Sequence, residues 1–205
     1  PFVYFAAGVH PHEAQEAPKD YSEQVKRQAG DEKCVAIGEI GLDYHYDFSP
    51  RPVQKEVFDR QLTLAQELSK PVIIHEREAA ADCLDILRLH RGIEGVVHCF
   101  SGSWETAREI LDLGLHISFT GVVTFKNARR PVEVAQKMPM ERMMIETDSP
   151  YMAPEPCRGR RNSSLYLKYI AQRIAQLRQM DVEDVARITL ENGKRFFRIG
   201  EGGTP

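Results

Sequence analysis

The sequence predicts an α/β fold of parallel strands, a TIM-type (β/α)₈ barrel of which about six strands are present. Three observations carry this reading. Short, continuous apolar runs recur along the chain, as strands covered on both faces require. Helical patterns fill the intervals, giving the strand–helix alternation of a parallel sheet. Five of the runs lead into a residue able to hold metal: His10, Glu39, His75, His98 and the segment Glu146–Asp148.

The expected strands are residues 2–9, 34–40, 71–75, 95–99, 115–120 and 142–147. A helix is expected at 21–29. Residues 52–68 place Val53, Val57, Leu64 and Leu68 at helical spacing, with Pro52 in the first turn. Residues 79–91 carry Cys83, Leu84 and Leu87 and stop at Gly92. Residues 104–113 follow Ser103 as N-cap and end at Gly114. A helix at 131–137 opens on Pro131, and helices at 164–179 and 182–198 close the chain, the last capped by Asp181. No low-complexity linker divides the sequence, so residues 1–205 are read as one domain. An open doubly wound sheet would gather its ligands at one switch point. A barrel brings many strand ends to one mouth, and chemistry at five strand ends selects it. A barrel takes about 250 residues, so the chain is short by roughly two βα units and is expected to begin at the third strand.

Composition narrows the function classes. With 42% hydrophobic and 28% charged residues the chain reads as an ordinary globular protein, and no apolar run is long enough to span a bilayer. A net charge of −3 gives no global pull toward nucleic acid, so such a substrate needs a local basic patch. Two loops supply one: Lys126, Arg129 and Arg130, then Arg158, Arg160 and Arg161. Cys34, Cys83, Cys99 and Cys157 have neither zinc-ribbon nor redox-motif spacing. With no visible signal peptide, an intracellular location, cytoplasmic or nuclear, is expected, with no membrane partner.

Glu39 stands between glycines, which let a ligand approach closely, and a glutamate ending a buried strand needs a partner. His75 and His98 follow apolar residues, and imidazole is a common ligand for borderline metals. One such histidine is more often a satisfied core residue; equivalent placement on separate strands reverses those odds. Asp148 can hold a cation and take a proton from attacking water, whose pKa a metal brings toward neutrality. Glu146 and Thr147 read equally as residues that orient it or as ordinary strand positions. His10, His12 and Arg77 supply donors for a phosphate oxygen. Tyr44, Phe100, Trp104 and Tyr151 follow strand ends, where they can stack bases.

Together, Gly8-Val9-His10-Pro11-His12, Gly38-Glu39-Ile40-Gly41-Leu42-Asp43-Tyr44, Val72-Ile73-Ile74-His75-Glu76-Arg77, His98-Cys99-Phe100-Ser101-Gly102, Glu146-Thr147-Asp148-Ser149-Pro150-Tyr151 and Arg158-Gly159-Arg160-Arg161-Asn162 resemble the TatD family of metal-dependent deoxyribonucleases. The resemblance implies a barrel of the metal-dependent hydrolase kind. It implies hydrolysis of DNA phosphodiesters, as a 3′-to-5′ exonuclease on single strands or 3′ ends. It implies two divalent cations, with magnesium, zinc and manganese not distinguished, and a monomer is expected. Carried over, Glu39 bridges metals, His75, His98 and Asp148 are ligands, and Asp148 and Glu39 are catalytic. His10, His12, Arg77, Arg158 and Arg160 contact substrate. The family's first-strand His-x-His pair has no counterpart, because His10-Pro11-His12 belongs to the third strand. One metal position is therefore expected to survive weakly and the other to be crippled. Two alternatives remain: an amidohydrolase-like phosphoesterase or lactonase for small molecules, and a truncated, catalytically impaired binding protein.

Overall fold

The computed structural model describes residues 3–200. The chain divides into two compact units. One holds the chain through Val97 together with Leu113–Leu115; the other holds His98–Asp112 and the chain from His116 onward.

The first unit runs β1 (Phe5–Ala7), a 3₁₀ helix (Pro11–Glu16), α1 (Tyr21–Ala29), β2 (Cys34–Asp43), α2 (Arg51–Glu67), β3 (Val72–Arg77), α3 (Ala80–Leu89) and β4 (Gly95–Val97). Each strand pairs in parallel with the next. Parallel neighbours need a crossover, and α1, α2 and α3 supply it. Ile37, Ile40, Leu42, Val72 and Ile74 are completely buried, as are Phe58 and Leu62 of α2. Each such side chain contributes about 2 kcal/mol of burial, which is why these strands read as unbroken apolar runs. A satellite cluster of Ala14, Tyr21 and Val57 packs the 3₁₀ helix against α1 and α2.

The second unit contains α4 (Trp104–Asp112), β5 (His116–Phe119), α5 (Arg129–Lys137), β6 (Met143–Ile145), α6 (Leu167–Arg178) and α7 (Val182–Phe196), with 3₁₀ turns at Gly121–Thr124, Met140–Arg142 and Ser164–Tyr166. β5 and β6 pair in parallel, Ile117 opposite Met143 and Phe119 opposite Ile145. Its core is Ile117, Val134, Met138, Met143, Ile170, Ile174 and Val185, all completely buried.

All seven helices and six strands expected from the sequence are found among the described residues; Phe2, at the start of the first expected strand, lies outside them. Several bounds differ. α5 opens at Arg129, two residues before Pro131, and β6 ends at Ile145, before Glu146 and Thr147. β2 runs on to Asp43 and β3 to Arg77, so Glu39 and His75 lie within strands rather than at their ends. The first strand is shorter, because Pro11 opens a 3₁₀ helix whose cap is His10. Ser103 caps α4 as expected, its Oγ accepting from the Thr106 amide. Asp181 holds the cap position of α7 without a side-chain hydrogen bond, leaving its charge at the helix N-terminus as its contribution. No helix among the described residues is long and apolar enough to cross a membrane.

Candidate metal centre

In the first unit, two histidines and two amides converge on one buried carboxylate. Asp43, the last residue of β2, is completely buried. Its Oδ2 accepts from His12 Nε2 and from His75 Nε2, each at 2.9 Å. Its Oδ1 accepts from the amides of His45 and Tyr46 at 3.0 and 2.8 Å. Burial opposes the Asp43 charge, but the Tyr46 amide, His12 and His75 outweigh it and pull the carboxyl down to about 2. An ionised carboxylate only accepts, so both imidazoles carry a proton on Nε2. In the neutral rings the lone pair then sits on Nδ1, and a carboxylate partner of this kind fixes the tautomer of a metal-binding histidine.

Glu39 and His10 complete the group. Glu39 Oε2 lies 3.7 Å from His10 Nε2 and 4.0 Å from His75 Nδ1. His10 Nδ1 accepts from the His12 amide at 3.2 Å, which turns Nε2–H toward Glu39. Burial first, then the neighbouring His75 and His12, lower the His10 pKa to about 4, so the ring is neutral at pH 7. Nitrogens of His10, His12 and His75 lie within 4.8 Å of one another. Clustered imidazoles beside a carboxylate are a donor set that fits a divalent cation.

The glycines beside Glu39 serve the backbone rather than ligand access. A Cβ on Gly41, at φ +141, would lie 2.0 Å from the His75 carbonyl oxygen, and one on Gly38 would lie 2.7 Å from Ile73 Cβ. They let β2 and β3 approach closely where Glu39 and His75 stand. Two buried glutamines of α2 hold the same loops. Gln54 accepts from the Asp43 amide at 2.8 Å and donates to the carbonyls of Asp43 and Ser49. Gln61, two turns along, accepts from the Val9 amide at 2.7 Å and donates to the Val9 carbonyl. Ser49 Oγ donates to the His12 carbonyl at 2.8 Å. Sequence reasoning missed Asp43, Gln54, Gln61 and Ser49. The signal for Asp43 was present: residues 39, 41 and 43 share one face of a strand, so extending β2 puts both carboxylates on the same side.

At the rim, the Arg77 guanidinium lies 4.8 Å from the Tyr46 ring centroid, and Tyr46 stacks with Phe48 at 5.3 Å. The aromatic residues expected to stack bases fare differently. Phe100 is buried. Tyr44 donates its hydroxyl to Asp82 at 2.6 Å while Arg51 covers its ring. Lys137 covers Trp104. Tyr151 is exposed.

In the second unit, His98 is buried, with Nδ1 3.5 Å from Glu146 Oε2. Glu146 also accepts from the Cys99 amide at 2.8 Å and from Ser118 Oγ. Burial opposes its charge, but His98, Ser118 and the Cys99 amide prevail, and its pKa is lowered. The sequence left open whether Glu146 orients Asp148; its contacts here are with His98, Ser118 and the Cys99 amide. Asp148 takes the left-handed conformation, φ +53, which aspartate tolerates better than most residues. Buried Asn162 donates to the carbonyls of Thr147 and Tyr151 at 2.7 and 2.6 Å, fixing the chain on both sides of Asp148. Arg158 stacks on Phe125 at 3.8 Å, and Arg160 is exposed.

The sequence model of a family described as TatD related DNase matches residues 1–198. The chain belongs to the TatD family. Among TatD relatives, the uncharacterized metal-dependent hydrolase YabD of Bacillus subtilis is 48% identical over 200 residues, 97% of this chain and 78% of that protein. The 3′-5′ ssDNA/RNA exonuclease TatD of Pectobacterium parmentieri is 38% identical over 207 residues, 97% of this chain and 79% of that one. The crystal structure of YjjV, a TatD homolog from Escherichia coli, superposes with a TM-score of 0.89 at 30% identity, covering 95% of this chain and 76% of that one. The TatD chain is therefore a metal-dependent hydrolase by family, with the α/β, TIM-type fold expected from its sequence.

Proposed function

We propose that this chain hydrolyses DNA phosphodiester bonds, removing nucleotides from 3′ ends in the 3′-to-5′ direction. The observation that carries the reading is the clustering of His10, His12 and His75, with Glu39 beside them and the buried Asp43 holding His12 and His75. The TatD relative bearing an exonuclease name supports the substrate class. In this reading Glu39 and His75 are metal ligands in the first unit, and His98 and Asp148 in the second. A divalent cation, when bound, supplies Lewis acidity toward water and a phosphoryl oxygen.

The remaining steps belong to this chain's residues. Asp43 holds His75 and His12 in the Nε2–H tautomer, and Glu146 holds His98 in orientation. Asp148 takes the proton of the attacking water. His10 and Arg77 present donors to the phosphate, and Arg158 and Arg160 steer the strand; His12, expected from the sequence to join them, has its Nε2–H committed to Asp43 and offers a lone pair instead. The chain is proposed to act as a monomer, in the cytoplasm or nucleus, on single-stranded DNA or frayed 3′ ends.

A 5′-labelled single-stranded oligonucleotide incubated with magnesium, manganese or zinc should yield a ladder that shortens from its 3′ end. Glu39→Gln and Asp148→Asn should each slow it on the order of a hundredfold or more. Equal activity in either variant, or no cleavage with any metal, overturns the reading.

A further inference from the structure

Phe48 and Tyr46 are large apolar side chains with 66% and 48% of their surface exposed, immediately beside a histidine cluster. Exposure alone does not make an interaction site. Their surroundings say what it suits. The rings stack at 5.3 Å with an interplanar angle of 20°. The His12 ring meets both edge-on, at 5.4 Å from Tyr46 and 4.9 Å from Phe48, so the pair is continuous with the group that holds Asp43. Arg77 sits over the Tyr46 ring, putting a cation within a side chain's reach of the aromatic surface. A flat π-face, a cation and a set of metal-binding donors in sequence match the parts of one nucleotide: base, phosphate and scissile bond.

We propose that Tyr46 and Phe48 form a stacking platform for the terminal nucleobase of a single strand. The platform holds that base while its phosphate faces Arg77 and His10. The proposal rests on the nuclease reading above and adds to it the residues that hold the terminal base. Stacking needs only a π-face, so the platform accepts any of the bases.

The test uses the full chain and two single-stranded oligodeoxynucleotides. One carries 2-aminopurine as its 3′-terminal base; the other ends in an abasic sugar. Both are titrated by fluorescence anisotropy in EDTA. The wild-type chain should bind the base-bearing strand roughly tenfold or more tighter than the abasic one, the loss expected for one base–aromatic stack. It should also quench the 2-aminopurine. Phe48→Ala, and Tyr46→Ala with Phe48→Ala, should lose the preference and the quenching, while Phe48→Trp keeps both. Equal binding of the two strands by wild type, or an undiminished preference in Phe48→Ala, overturns the platform. Cleavage is then read separately after manganese is added. Cleavage without base preference removes the platform and leaves the nuclease reading; base preference without cleavage does the reverse.

Discussion

At the scale of single residues, the charge on Asp43 and the neutrality of His10 are set by the fold, and this makes stability depend on pH. The His10 pKa falls from 6.5 to about 4 on folding, with burial the largest cause. As pH drops below 6.5 the unfolded chain takes this proton first, so stability is lost between pH 6.5 and 4. The Asp43 pKa falls from 3.8 to about 2 against the effect of burial. Its contribution is present above 3.8 and is lost as pH falls toward 2. Urea midpoints of the metal-free chain should therefore decline in two windows. His10→Asn should flatten the upper one and Asp43→Asn the lower; unchanged slopes would show that neither group is coupled to folding as described. Residues of this kind are only partly legible in a sequence. Glu39, His75, His98 and Asp148 stood out because each interrupts or follows an apolar run. Asp43 did not, because Gly41 reads as a strand break, whereas it pairs with His75 across β2 and β3. Tyr46 and Phe48 lie in a loop, where spacing carries no periodic signal.

At the scale of elements, α2 is both a crossover helix and the support of the histidine group. Its apolar face was legible and so were its ends, within one residue. Gln54 and Gln61 were not, because a glutamine in a helix reads as surface, and here both are buried. Their side chains satisfy backbone groups of Asp43, Ser49 and Val9 that have no strand partner there. Gln54→Leu and Gln61→Leu should each cost about 1–3 kcal/mol, the penalty of leaving buried polar groups unmade. The helix should persist, because its own hydrogen bonds are untouched. Urea unfolding followed by circular dichroism would measure this, and a loss under about 0.5 kcal/mol, the range of ordinary surface changes, would mean that water replaces these side chains.

At the scale of the whole molecule, parallel strand order was legible because strands covered on both faces need continuous apolar runs. The fold class followed from their alternation with helices. Metal binding offers a global readout of the site. A cation that binds only the folded chain stabilises it by about 2.7 kcal/mol at a hundredfold excess over Kd. Thermal unfolding with zinc or manganese should therefore shift upward relative to EDTA, and His75→Ala should abolish most of the shift. An equal shift in the variant would remove His75 from the ligand set. The histidine group also bears on the order of events when the chain is made. The hydrogen bonds that define it join residues 31 and 32 positions apart, and the Gln61 support reaches back 52. Long-range closures of this kind come late in folding. During synthesis the latch on Asp43 can close only after β3 has emerged. A cation arriving earlier meets His10 and His12 without His75, so capture by all three reports that β3 has joined β2.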